Sequence, residues 1–146
     1  MAQLYQRIFA AIDGSSTQDA VINRAIALAS ENQAELLFGH VVDTLPSDVS
    51  GTNYQMLAAE EESVLRDRLA PVFERVAADA NIKGCDLRVG VGRVGDTLVD
   101  ELIKEYNPDL VVCGERGYSD FKYAFVGSVS KHLIREVRCD VLVVKG

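Results

Sequence analysis

The stretch IFAAIDGS, Ile8 to Ser15, decides the fold. Five apolar residues in a row, Ile8 to Ile12, stop abruptly at Asp13-Gly14-Ser15. A short, continuous apolar run closed by a turn signal reads as a strand buried on both faces. Ser16 then offers an N-cap, with Asp19 three residues on as an imperfect capping box. Ile22, Ala25, Ile26 and Ala29 follow at helical spacing. A doubly buried strand feeding a helix is the opening of a βαβ unit, in which helices cover both faces of a parallel sheet.

The rest of the chain repeats this alternation. Glu35 to Val42 reads as a second strand, and Asp43 to Asn53, broken by Pro46 and Gly51, as a loop. One long helix is predicted from about Tyr54 to Asn81, with Leu57, Val64, Leu65, Val72, Phe73 and Val76 inward. Pro71 inside it predicts a kink or break. Gly84 is placed as a stop, and Cys85 to Val91 is a third strand. Gly95-Asp96 opens a helix that Pro108 ends, and Asp109 to Cys113 is a fourth strand. A helix from about Ser128 to Val137 and a fifth strand from Cys139 to Val144 complete the chain. Five strands and four helices in alternation define an α/β fold with a doubly wound parallel sheet. Its 146 residues form a single domain, 1–146.

Composition narrows the class. Hydrophobic residues at 48% and charged residues at 25% are ordinary for a globular chain. The net charge of −7 argues against a general nucleic-acid-binding surface. That charge is uneven: Val111 to Gly146 holds six Lys/Arg against four Asp/Glu, the remainder nine against eighteen. A local anion site in the C-terminal quarter is compatible with the global balance. Three cysteines, Cys85, Cys113 and Cys139, fit no zinc spacing and read as reduced thiols of a cytoplasmic protein. The N-terminus lacks the long apolar core of a signal peptide, and no run has the roughly 20 apolar residues of a membrane span.

In doubly wound sheets, ligands bind beyond the carboxyl ends of the strands, where the strand order reverses. Asp13, the loop after Val42 and the loop after Cys113 fall at that end. The last of these opens GERGYSDFKYAFVGSVS, Gly114 to Ser130. Its glycines, Gly114, Gly117 and Gly127, let a ligand approach the backbone. Gly127 just precedes a helix, whose first amides lack internal partners and carry partial positive charge. Such a terminus holds phosphate, and Ser128 and Ser130 add hydroxyl donors. Taken singly, each glycine reads better as turn punctuation and Ser128 as a cap. Together at one sheet end, they read as a site.

Gly114-x2-Gly117-x9-Gly127-Ser128 resembles the G-x2-G-x9-G-S/T motif of ATP-binding universal stress proteins. Ile8 to Ser15 resembles the family's VAVDGS opening, and Cys139 to Val144 its PVLVV last strand. The likeness spans essentially the whole chain in order. It implies a five-stranded sheet of order 3-2-1-4-5, a homodimer paired through the last strand, and ATP (or AMP) at the carboxyl edge, with Mg²⁺ carried by the phosphates. Asp13 would contact the ribose or adenine end, and the Val41 backbone the adenine. Gly114, Gly117, Gly127, Ser128, Val129 and Ser130 would hold ribose and phosphates, and Ala11 joins the set. Arg116 reads either as a phosphate contact or as a solvated cation, and Glu115 beside it adds negative charge.

Other candidates read more simply. Asp13 has the alternative of a turn aspartate bonding its own backbone. His40 reads as a packed or hydrogen-bonded strand histidine, His132 as exposed on its helix, and Glu60-Glu61-Glu62 as a solvated face. Two histidines without a paired nucleophile give no hydrolase triad. GVGRVG, Gly90 to Gly95, has G-x-G-x-x-G spacing but follows the third strand, so it reads as a tight strand-to-helix connection. A regulatory nucleotide-binding module is the favoured function. A slow ATP hydrolase and a nucleotide-free dimeric scaffold are the alternatives.

Overall fold

The computed structural model describes residues 3–44, 51–115 and 128–145. Its strands are β1 (Arg7–Ala11), β2 (Glu35–Asp43), β3 (Gly84–Gly92), β4 (Leu110–Gly114) and β5 (Asp140–Val144). All pairings are parallel, in the order β3-β2-β1-β4-β5. The helices among the described residues are α1 (Gln18–Asn32), α2 (Gly51–Arg68), α3 (Ala70–Ala77), α4 (residues 94–106) and α5 (Ser128–Glu136). Within α4, Leu98–Ile103 is π-helical, a local widening that the residue pattern did not announce.

Alternation along the strands sends side chains to two cores. Ile8, Ala10 and Ile12 pack with Val21, Ile22, Ala25 and Ile26 of α1 and with Leu65, Leu69 and Val76 around α2 and α3. Phe9, Ala11, Leu37 and Val41 pack on the other face, with Val94, Leu98 and Leu102 of α4 and Leu133 of α5. Helices α1 to α3 therefore cover one face, and α4 and α5 the other. After β3 the chain crosses back past β1, so the loops after β1 and β4 leave toward opposite faces. The crevice between them is the switch point of the sheet.

One of these cores closes around a glycine. Gly39 pairs with Ala11 across β1 and β2. A Cβ added at Gly39 would lie 2.1 Å from Cζ of Phe9, whose ring fills that space. At the other end of β1, Arg7 Nε and Nη2 donate to the Tyr106 carbonyl at 3.0 and 2.7 Å. The Arg7 guanidinium lies 4.3 Å from the centroid of the Tyr106 ring. The end of α4 is thereby tied to the start of the central strand.

Several expectations are corrected. Among the described residues there are five helices rather than four, because the predicted long helix is broken at Leu69. Pro71 has no N–H to donate and its ring would clash with the carbonyl four residues back, so the second segment restarts with Pro71 in its first turn. The first segment begins at Gly51 rather than Tyr54, which shortens the expected loop. Val64 is 44% exposed rather than inward, since α2 packs through Leu65. Gly84 opens β3 instead of stopping a helix. Thr17, not Ser16, sits at the N-cap position of α1, without a side-chain cap bond, and Ser16 is exposed.

Gly39→Ala is expected to lower stability by roughly 1–3 kcal/mol, the usual cost of overpacking a filled core. Urea denaturation would check it. An unchanged midpoint would mean that Phe9 can swing aside without loss.

Candidate functional site

The carboxyl edge is built from the ends of β1, β2 and β4. Past Ala11, the Ile12 amide still donates to the Gly39 carbonyl at 2.9 Å. The Ile12 carbonyl lies 2.9 Å from His40 Nδ1. A carbonyl can only accept, so this contact places a proton on Nδ1. His40 is thus the hydrogen-bonded strand histidine expected, and it ties the exit of β1 to β2.

The chain then turns sharply. Gly14 has φ +75, a left-handed conformation that side chains rarely adopt. Asp13 Oδ1 accepts from the Ser15 amide at 2.8 Å, the local turn bond weighed above as its alternative role. Thr17 N donates to Ser15 Oγ at 3.3 Å, and the Ser15 and Thr17 hydroxyls lie 2.9 Å apart. These bonds hold the half-buried Asp13 at the edge of the crevice.

Val41 is fully buried in β2, in register with Gly90. Gly114 ends β4 opposite Val144, and the Glu115 amide continues the ladder to the Val144 carbonyl at 2.8 Å. Ser128 is the exposed first residue of α5, Val129 packs on the core formed by Phe9, Ala11, Val41 and Cys113, and Ser130 is buried. The first turn of α5 therefore packs on this second core. Ala11, Asp13, Val41, Gly114, Ser128, Val129 and Ser130 converge on this edge. Arg116, Gly117 and Gly127, with the aromatics Tyr118, Phe121, Tyr123 and Phe125, lie outside the described residues.

Cys113 sits at the switch point. Burial, with the Asp13 carboxylate adding to it, pushes its thiol from 9.0 up to about 12. Burial raises Cys85 to about 12 as well. Neither is a thiolate nucleophile at neutral pH. Among the described residues, no group of three His, Cys, Asp or Glu could hold a metal ion. No described helix is long and apolar enough to cross a membrane. A cavity of about 460 Å³ lies at the opposite end of the sheet, between the ends of α4 and α5, lined by Val99, Ile103, Arg138 and Cys139 among others. It lies away from the carboxyl ends of the strands, where doubly wound sheets bind their ligands.

The GVGRVG glycines prove to be packing positions. A Cβ at Gly90 would meet Thr97 Cγ2 at 2.7 Å, and one at Gly92 would meet Thr97 Oγ1 at 2.6 Å. The bare glycines admit Thr97, which is why α4 can start so close to β3. His132 is corrected from exposed to largely covered, with 24% of its side chain accessible. A Cβ at Gly95 would lie 2.8 Å from the His132 ring. A glycine in the first turn of a helix, Gly95, is the sequence signal of this close approach.

A five-stranded parallel sheet of this order, with its crevice between β1 and β4, defines a doubly wound, Rossmann-like α/β protein. The chain belongs to the universal stress protein family, whose sequence profile matches residues 4–145. It is 31% identical over 141 residues to a protein of Staphylococcus aureus strain USA300 provisionally named as a universal stress protein, covering 97% of this chain and 84% of that one. Its fold is similar to that of UspA from Lactobacillus plantarum, with a TM-score of 0.76, 23% identity and coverage of 96% and 97%. It is also similar to a universal stress protein crystallised with cAMP, with a TM-score of 0.66, 26% identity and coverage of 97% of each chain.

Alkylation of Cys113 in the native protein is expected to be slow at neutral pH and fast after denaturation. Its folded pKa is raised, so the stability linked to its proton is intact below about 9 and is lost as pH climbs toward about 12. Mass-spectrometric labelling and urea melts across that window check both. Rapid native labelling near neutral pH would contradict the buried placement.

Proposed function

We infer that the chain binds an adenine nucleotide, ATP or AMP, in the crevice between β1 and β4, as a cytoplasmic homodimeric module of the stress response. The observation that carries this reading is the meeting of Asp13, Val41 and Gly114 with the start of α5 at one edge. The complete glycine motif joins those elements in sequence, and the related structure holding cAMP supports an adenine ligand.

Asp13 takes the ribose or adenine end over Ala11, and the backbone at Val41 takes the adenine. Gly114, Arg116, Gly117 and Gly127 surround ribose and phosphates, and Ser128, Val129 and Ser130 present the amides and hydroxyls of a helix start to them. That terminus suits an anion, since α5 has no acidic residue in its first turn. Mg²⁺ comes with the phosphates and keeps several waters. The homodimer forms through the last strand, Cys139 to Val144. Strand β5 pairs only with β4 among the described strands, and Val141, Leu142 and Val143 are half-buried. An apolar edge of this kind favours pairing with a second copy.

Ligand-free protein should gain about 2.7 kcal/mol with ATP and Mg²⁺ at 100 times Kd, a rise in Tm of roughly 5–11 °C. GTP should give no shift. Gly127→Val should abolish the ATP shift while leaving the ligand-free melt intact. No shift with millimolar ATP would overturn the nucleotide reading. Light scattering should return twice the chain mass of 15.9 kDa. A monomer at working concentration would overturn the dimer.

A further inference from the structure

We propose that His132, wedged between α4 and α5, is a positioning residue that sets the phosphate affinity of the nucleotide site. This rests on the nucleotide reading above. Leu133 is fully buried and, with Val129 and Val137, packs α5 onto the core. It does not by itself fix where the short helix sits sideways. That lateral contact is made by His132. Its ring lies so close to Gly95 that an added Cβ would be 2.8 Å from Cδ2, 3.1 Å from Cγ and 3.3 Å from Nε2. Its Nε2 lies 3.5 Å from Asp96 Oδ1, in the first turn of α4.

Residues four apart stand on one face of a helix, so His132 lies one turn below Ser128 and on its side. The wedge therefore controls the turn whose amides and hydroxyls would meet phosphate. Glycine costs a helix stability, and Gly95 occupies the first turn of α4 where an alanine would be better tolerated. The ring of His132 is the physical reason that no side chain fits there. Amides held in place before the ligand arrives bind it more tightly than amides that must be ordered by it.

Calorimetric titration with ATP and with adenosine separates positioning from general destabilisation. His132→Ala should weaken ATP binding about tenfold through lost preorganisation and leave adenosine binding unchanged, because adenosine has no phosphate. His132→Gln, which keeps an amide within reach of Asp96, should recover most of the ATP affinity, and it stands in if the alanine variant does not fold. Gly95→Ala should weaken ATP binding in the wild-type background and do nothing once residue 132 is alanine, since the clash is then gone. Equal losses for ATP and adenosine, or additive effects of the two substitutions, would overturn the inference. So would wild-type affinity in His132→Ala, with the nucleotide reading untouched. A wild-type protein that binds neither ATP nor adenosine would overturn both.

Discussion

A strand that is apolar on both sides can be satisfied only in the middle of a sheet covered twice. β1 is that strand: Ile8, Phe9, Ala10 and Ile12 are fully buried. Everything else follows from finding it neighbours and two covers. β2 and β4 flank it, α1 packs beneath Ile8, Ala10 and Ile12, and α4 and α5 pack above Phe9 and Ala11. Right-handed crossovers then leave few ways to thread the chain. The order that results puts a crevice immediately beside the carboxyl end of β1, where Asp13 and Gly14 turn away.

Close approach is the second theme. Four glycines work by absence: Gly39 admits the Phe9 ring, Gly90 and Gly92 admit Thr97, and Gly95 admits His132. Each brings two elements closer than side chains allow. Gly39 lets the central pair of strands share one ring, Gly90 seats α4 on β3, and Gly95 sets α4 beside α5. The carboxyl edge is therefore held from below chiefly by packing. Apart from His132 with Asp96, the ion pairs found among the described residues, such as Arg7 with Glu35 and Lys104 with Asp100, are exposed or half-exposed. Pairs of that kind contribute little.

The glycine motif and the switch crevice are two independent routes to the same edge. One is a spacing along the chain and the other a property of strand order. The first turn of α5 belongs to both, because it carries Ser128 to Ser130 and packs through Val129 on the core that holds Ala11, Val41 and Cys113. Family membership joins these observations without replacing either.

Local chemistry was legible in the residues. The doubly buried strand, the break at Pro71 and the turn at Asp13-Gly14 depend on a few neighbouring positions, so one sequence suffices to read them. The turn at Asp13, the end of β4 near Gly114 and the start of α5 at Ser128 were also legible, because turn residues mark strand ends and helix starts, whereas Val41 was singled out only through the family resemblance. Contacts between distant elements were not. Val64 and Leu65 are adjacent apolar residues, and only the packing of α2 decided which one faces inward. Whether a glycine is a hinge or a gap for a neighbour's ring cannot be told until that neighbour is in place. His132 looks solvated along its own helix and is covered only because α4 arrives from another part of the chain. Backbone preference is written residue by residue, whereas close packing is a property of pairs that the fold brings together.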